Sequence, residues 1–495
     1  MKSILFSFCI CISLIANTQT NSLYNEQYRP RFHFSPSVNW CNDPNGLVYN
    51  KGTYHLFYQH NPFGNVWGHM TWAHAVSKDL VHWKHLPIAI AEEKDTMIFS
   101  GTCVVDKNNT SGFGKNGKTP MVAVYTGHIE NKNQSQHIAY SLDDGITWIK
   151  YNKNPVLDLG KKDFRDPKIF WYEPKNYWVM ALMFPVEHYV QFYSSGNLKD
   201  WKHLSDFGPV GDTSGVWECP DLTQVPIEGM PGKKKWILQT SQNTSMQYFV
   251  GEFDGIKFTN ETSPDKILRP DFGPDYYAAI AWNQLPSAHL PTAIGWLNNW
   301  NYANDIPTTP WKGAMSLPRT LQVKKINNEW VLLQKPIDGL KTLRTNPMEI
   351  KSTGITNSKI LPRQSQQLEM LLTYEPSAAN SGVRLAMGKN SYFEIGYDAA
   401  KQTVYIDRSK TEQTGFNKNF SSLSRFETPV SLKNKKLKLH IFYDHSIAEI
   451  FINDGEAVLT AQLFSAESNN SIQLFSNGGR STVVFLKLWD IRPIW

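Results

Sequence analysis

Short apolar or alternating runs recur along the chain, separated by Asn, Gly, Asp and Pro. Period-two alternation between turn formers predicts β-strands, and long helical periodicity is scarce, so the fold class is all-β. Strands are predicted at 52–59 (GTYHLFYQ), 121–126 (MVAVYT), 177–183 (YWVMALM), 235–240 (KWILQT) and 292–297 (TAIGWL). Behind the first three comes a second element, AVSKDLVHW (75–83), AYSLDDGITW (139–148) and YSSGNLKDW (193–201), each with a Ser, a polar turn and a Trp. Such a repeat predicts a five-bladed β-propeller whose four-stranded blades bury each other's faces. The last two units lack the Ser-to-Trp element, so periodicity alone leaves a β-sandwich of unequal strands open.

After Trp330 the texture changes. The propeller is expected over 24–335, followed by a Pro-, Thr-, Asn- and Lys-rich linker over 336–360. A separate β-sandwich is expected over 361–495, with turns at Asn453-Asp454-Gly455 and Asn477-Gly478-Gly479. QQLEMLLTYE (366–375) is read as a strand, with a helix as the alternative.

Residues 1–20 read as a signal peptide: Lys2 is the basic flank and Ile4 to Ile15 an apolar core too short to span a bilayer. No later run is long enough to span either, so a secreted, extracellular protein is expected. Asn108, Asn109, Asn133, Asn243, Asn260, Asn419 and Asn469 each begin a glycosylation tripeptide, which suits that route. Beyond the leader, Cys41, Cys103 and Cys219 allow one disulfide or three buried thiols. The net charge of +6 is spread along the chain, without the basic stripe that a nucleic-acid face needs.

Three acids stand in unusual settings. Asp43 lies in NWCNDPNG (39–46), where Pro44 fixes the backbone and Asn45-Gly46 suits a tight turn. Asp166 lies in FRDPKIF (164–170) beside Arg165. Glu218 lies in VWECPDL (216–222) between Trp217 and Cys219, where an anion is costly to bury. Singly, a turn aspartate, an ion pair and a solvated strand-end glutamate explain them. Together they occupy similar stations near the starts of repeat units, and a propeller brings such stations to one central funnel. Converging carboxylates suit glycoside cleavage, in which one protonated acid donates to the leaving oxygen and a second carboxylate attacks the anomeric carbon. The acids lack calcium-loop spacing, the histidines lack zinc spacing, and no Gly-x-Ser-x-Gly elbow occurs.

In these motifs the sequence resembles glycoside hydrolase family 32, the invertases, inulinases and levanases. NDPNG, RDP and WEC occur in that family's order. FYQHNP (57–62), WGHMTWAHAVSKDLVHW (67–83), FSGT (99–102), DFGPDYYAA (271–279), GWLNNWNY (295–302) and WKGAMSLPR (311–319) extend the match, and FYDHSIAEIFINDG (442–455) echoes its C-terminal module. The resemblance implies a five-bladed propeller followed by a C-terminal β-sandwich. It implies Asp43 as nucleophile, Glu218 as acid/base and Asp166 as transition-state stabiliser. Asn42, Gln59, Trp67, Phe99, Ser100, Arg165, Asp275, Trp296 and Trp311 are expected to bind substrate. The implied partner is sucrose or another fructoside, small or oligomeric, with no cofactor or metal. Cys41 stands where the family usually has Met, which puts a thiol beside the nucleophile and suggests sensitivity to mercurials. Fructosyl transfer, a non-catalytic sugar-binding module and an arabinan- or xylan-cleaving relative are the rival readings.

Overall fold

The computed structural model describes residues 23–377 and 379–495. The expected leader over 1–20 lies outside them. Among the described residues, five consecutive sheets form the blades of a propeller, and a larger sheet system follows. The blades run Asn39–Asn50 to Trp83–Ile90 (I), Thr96–Val105 to Ile149–Lys150 (II), Arg165–Tyr172 to Lys202–Phe207 (III), Trp217–Pro226 to Phe258–Asn260 (IV) and Tyr277–Ala281 to Glu329–Pro336 (V). The apolar runs read from sequence are the second strands of these blades. The first strands ring the axis, each against the next and the last against the first. The ring also has a sewn seam: Trp311–Lys312, from blade V, pairs in parallel with Asn39 and Trp40 of blade I.

The Ser-to-Trp element is a hydrogen-bonded corner between third and fourth strands. Ser77 Oγ accepts from Asp79 and Leu80 N, and Ser195 Oγ accepts from Asn197 N. The Trp148 and Trp201 indoles close the next two corners on Gly145 O and Leu198 O. Blade IV makes this turn with Asp254, which accepts from Ile256 and Lys257 N. Blade V uses Asn327-Asn328, both at positive φ, as a two-residue hairpin turn. The corner therefore persists with different turn chemistry, which is why the sequence repeat fades.

The linker expected over 336–360 is corrected by the structure. A 3-10 turn, Asp338–Leu343, leads into the 21-residue strand Arg344–Gln364, which pairs with the equally long Ser471–Ile491. Its exposed, polar alternate residues disguised the strand. Ser471–Ile491 serves both faces of the sandwich, pairing with Asn380–Met387 in its first half and Gln367–Glu375 in its second. Asn477-Gly478-Gly479, expected as a turn, is an irregularity inside this strand, with both glycines at positive φ. Asn453-Asp454-Gly455 is a turn as expected, and Gln367–Glu375 is a strand. No described helix is long and apolar enough to cross a membrane.

Buried charges lock the two domains together. Arg319 from blade V meets Glu449 at 2.5 Å and Asp271 at 2.9 Å. His33 lies between Asp444 at 2.8 Å and Glu449 at 3.1 Å. Arg408 of the sandwich binds Asp275 at 3.0 Å.

Candidate active site

The first strand of each blade is bulged where it approaches one mouth of the axis. Register breaks fall between Cys41 and Pro44, Ile98 and Gly101, Glu218 and Asp221, and Tyr277 and Ile280; blade III breaks opposite Ala181 and Met183. A bulge inserts an unpaired residue and re-aims its side chain. Pro44, Pro167 and Pro220 fit here because a proline has no N–H for the ladder. Asp166 (φ 65°), Cys219 (φ 49°) and Ala278 (φ 51°) adopt the left-handed conformation. Such strain costs on the order of 1–3 kcal/mol per residue and concentrates at functional sites. The Asn45-Gly46 turn expected from sequence is part of this bulging inside the continuous strand Asn39–Asn50. Gly46 is required there, since a Cβ would lie 2.6 Å from the Phe57 ring and 2.8 Å from that of Trp72.

The bulges present their side chains to a cavity of about 390 Å³. Asn42, Asp43, Gln59, Trp67, Phe99, Ser100, Arg165, Asp166 and Glu218 all line it, from four different blades. Asp43 Oδ2 accepts from Ser100 Oγ at 2.9 Å and lies 3.6 Å from Cys219 Sγ. Asp43 Oδ1 and Gln59 Nε2 are buried without a partner among the described residues. Asp166 Oδ2 accepts from Cys219 N at 3.0 Å and lies 3.9 Å from Arg165 Nε. Arg165 donates to Glu218 Oε1 at 3.1 Å, and Tyr277 OH donates to Glu218 Oε2 at 2.6 Å.

Electrostatics separate these acids. Burial, reinforced by the charge of Glu218, raises Asp43 to about 6, against the neighbouring polar groups of Asn42, Ser100 and Cys219. Burial raises Asp166 to about 7; Arg165 opposes this, and Glu218 and Asp43 add to it. The Glu218 side chain keeps 24% exposure, so it is less enclosed than its apolar sequence neighbours imply.

Three expected substrate-binding residues are corrected. Asp275 is fully buried, with its carboxylate on Arg408, Tyr302 and Gln462 N of the domain junction. Trp296 is fully buried at the end of its strand. Trp311 lies in the seam beneath the Arg29 guanidinium, 3.7 Å from its ring centroid. In place of Trp296, the structure brings Trp300 to the cavity from the same GWLNNWNY motif. Its position beyond the strand end was the available signal. Met70, His128, Gln134 and Asp163 also line the cavity and carried no separate signal; Tyr277, inside DFGPDYYAA, holds Glu218.

Cys41, Cys103 and Cys219 are buried free thiols. Cys41 has no exposed surface, and burial pushes its thiol upward, which removes the basis for the expected mercurial sensitivity. A larger cavity, about 530 Å³, lies between the domains, but its lysines are already paired: Lys324 and Lys335 with Glu228, Lys341 with Asp338, and Lys438 with Asp454. The converging carboxylates, with the strained backbone at Asp166, make the smaller one the candidate site.

Known proteins place this architecture. Glycosyl hydrolases family 32 N-terminal domain matches residues 33–336, and the family 32 C-terminal description matches 339–490. A levanase of Bacillus subtilis (strain 168) is 42% identical over 99% of this chain and 74% of its own length. The crystal structure of an exo-inulinase from Aspergillus awamori is 36% identical, with TM-score 0.90, covering 95% of this chain and 100% of that one. A fructofuranosidase from Schwanniomyces occidentalis, complexed with fructose, is 30% identical with TM-score 0.87 over 95% and 100%. With both of its domains matched, the chain belongs to glycosyl hydrolase family 32 and is a glycosidase.

Proposed function

We propose that this glycosidase releases terminal β-fructofuranosyl units from sucrose and short fructans, with retention of configuration. The observation that carries this reading is the asymmetry of the Asp43 carboxylate. Oδ2 is held by Ser100, while Oδ1 is buried with no partner among the described residues. In double displacement, Asp43 attacks C2 of the fructosyl unit as Glu218 gives its proton to the glycosidic oxygen, and the leaving sugar departs. Glu218 then takes a proton from water, which attacks C2 and frees Asp43. Asp166 accepts hydroxyl hydrogen bonds from the fructosyl unit and stabilises the cationic transition state. Arg165 orients Glu218. The cavity, at about 390 Å³, has room for one or two sugar rings, which supports attack on terminal units. The fructose-bound relative supports the sugar, and the levanase and exo-inulinase support fructans among the substrates.

The test is anomer-resolved NMR of the first fructose released, with Asp43→Ala and Glu218→Gln beside the parent. The expected first product is the β-anomer, and each variant should lose at least three orders of magnitude in turnover while keeping its fold. Near-normal turnover in either variant would refute the assignment. Secretion belongs to the same proposal. The exposed Asn108, Asn109, Asn243 and Asn419 are the glycan acceptors, whereas Asn469 is 6% exposed and its amide donates to Ser391 and Glu412.

A further inference from the structure

The mouth of the cavity is lopsided. In every blade the connection between second and third strands lies at the mouth end. It is short in blades II, III and IV, spanning 130–132, 185–188 and 243–244, and long in blades I and V, spanning 62–70 and 297–318. Of these connections the two long ones are neighbours, and together they form one stretch of wall at the mouth. The blade I part is fixed from several directions. Asn61 Nδ2 donates to Val66 O, and Asn61 Oδ1 accepts from Phe63 N. Asn39 Nδ2 donates to Pro62 O, and Trp40 N to Gly64 O. Asn65 Nδ2 donates to Thr308 O, and Trp67 N to Asn304 Oδ1, which ties this wall to blade V.

On this pinned loop stand three exposed apolar side chains: Phe63 at 73%, Val66 at 50% and Trp67 at 40%. Trp67 lines the cavity. Phe63 lies beyond the lining and is the most exposed large apolar side chain among the described residues. Its ring meets His69 edge-on, with centroids 5.3 Å apart, and His69 is itself held by Glu92 at 2.8 Å. A loop this well bonded presents its aromatic ring in a fixed place, with little ordering cost on binding. Exposed apolar surface beside a pocket marks ligand contact.

Ligand pockets run from about 300 to 1,000 Å³. At about 390 Å³ this cavity is at the small end and seats one or two sugar rings. A longer chain has to leave over the rim. Sugar rings carry apolar C–H faces that pack on aromatic rings. We propose that Phe63, with Val66 beside it, is an outer platform for the third and later sugar units of a fructan whose terminal unit occupies the cavity. This rests on the fructoside-hydrolase reading and adds a residue that grades substrates by chain length.

The test compares sucrose with fructosylnystose on the parent enzyme, Phe63→Ala and Phe63→Trp. For Phe63→Ala, kcat/KM on fructosylnystose relative to sucrose should fall by about three- to tenfold, the range of one aromatic contact, through KM with kcat unchanged. Phe63→Trp should restore the ratio. An unchanged ratio in Phe63→Ala, or an equal loss on both sugars, overturns the platform while leaving the hydrolase reading intact. A parent enzyme that frees fructose from neither sugar overturns both.

Discussion

Cys219 Sγ lies 3.6 Å from Asp43 Oδ2 and 3.7 Å from Asp166 Oδ2, so one thiol spans two carboxylates borne by different blades. Burial and the surrounding acids push this thiol well above its ordinary range, so it stays protonated and donates. Removing it takes a stabilising hydrogen bond from ionised Asp43. In Cys219→Ala the acid limb of kcat/KM should therefore move to higher pH, with activity at pH 5 falling more than at pH 7. Parallel pH profiles of variant and parent would show the thiol to be packing alone.

In the proposed double displacement, Asp43 must be ionised to attack. Its value of about 6, raised by burial and by Glu218, places the acid limb of kcat/KM near pH 6. Asp43 and Asp166 influence each other's titration, so this limb belongs to the pair. Initial rates from pH 4 to 8 at sub-KM substrate check it, and a limb near pH 4 would contradict the environment assigned to Asp43.

The same acids cost stability. Unfolded, an aspartate releases its proton near 3.8; folded, Asp43 holds it to about 6 and Asp166 to about 7. Between these values the folded state binds more protons, so stability falls as pH rises through that window. Asp43→Asn and Asp166→Asn should each raise Tm at pH 7.5 and give no gain at pH 4. Calorimetry at both pH values decides it; equal shifts would remove the linkage argument.

His33 stabilises its domain junction, and its pH dependence has the same sign in a higher window. Burial opposes its charge, but hydrogen bonds to Asp444 and Glu449 outweigh burial and raise it to about 9 from 6.5. Its contribution is fully present below pH 6.5 and is lost as pH rises through 9. His33→Gln should lower Tm at pH 6 by several degrees and flatten the alkaline decline between pH 7 and 9. A parent Tm that is flat across that range would refute the charged imidazole.

The propeller was legible because each blade repeats an apolar second strand, and three repeat a Ser-to-Trp corner whose hydrogen bonds need those residues. The nine cavity residues found from sequence sit on or beside bulges marked by Asp-Pro and Cys-Pro steps, or in motifs flanking them. The misread residues share one cause. Asp275, Trp296 and Trp311 lie in motifs conspicuous by composition, but burial against Arg408, Trp300 and Arg29 is a tertiary fact that local spacing does not carry. Arg344–Gln364 was missed because a long edge-like strand with exposed polar residues looks like a linker.

The parallel pairing of Asn39 and Trp40 with Trp311 and Lys312 has a consequence for how the enzyme fails. Asp43, the proposed nucleophile, sits three residues past the stitch, on the same strand. Slippage there would swing Asp43 away from acids anchored in blades III and IV while most of the sheet remains intact. Heat or denaturant should silence turnover before tryptophan fluorescence or circular dichroism registers a melt, making activity the first gauge of an opening ring.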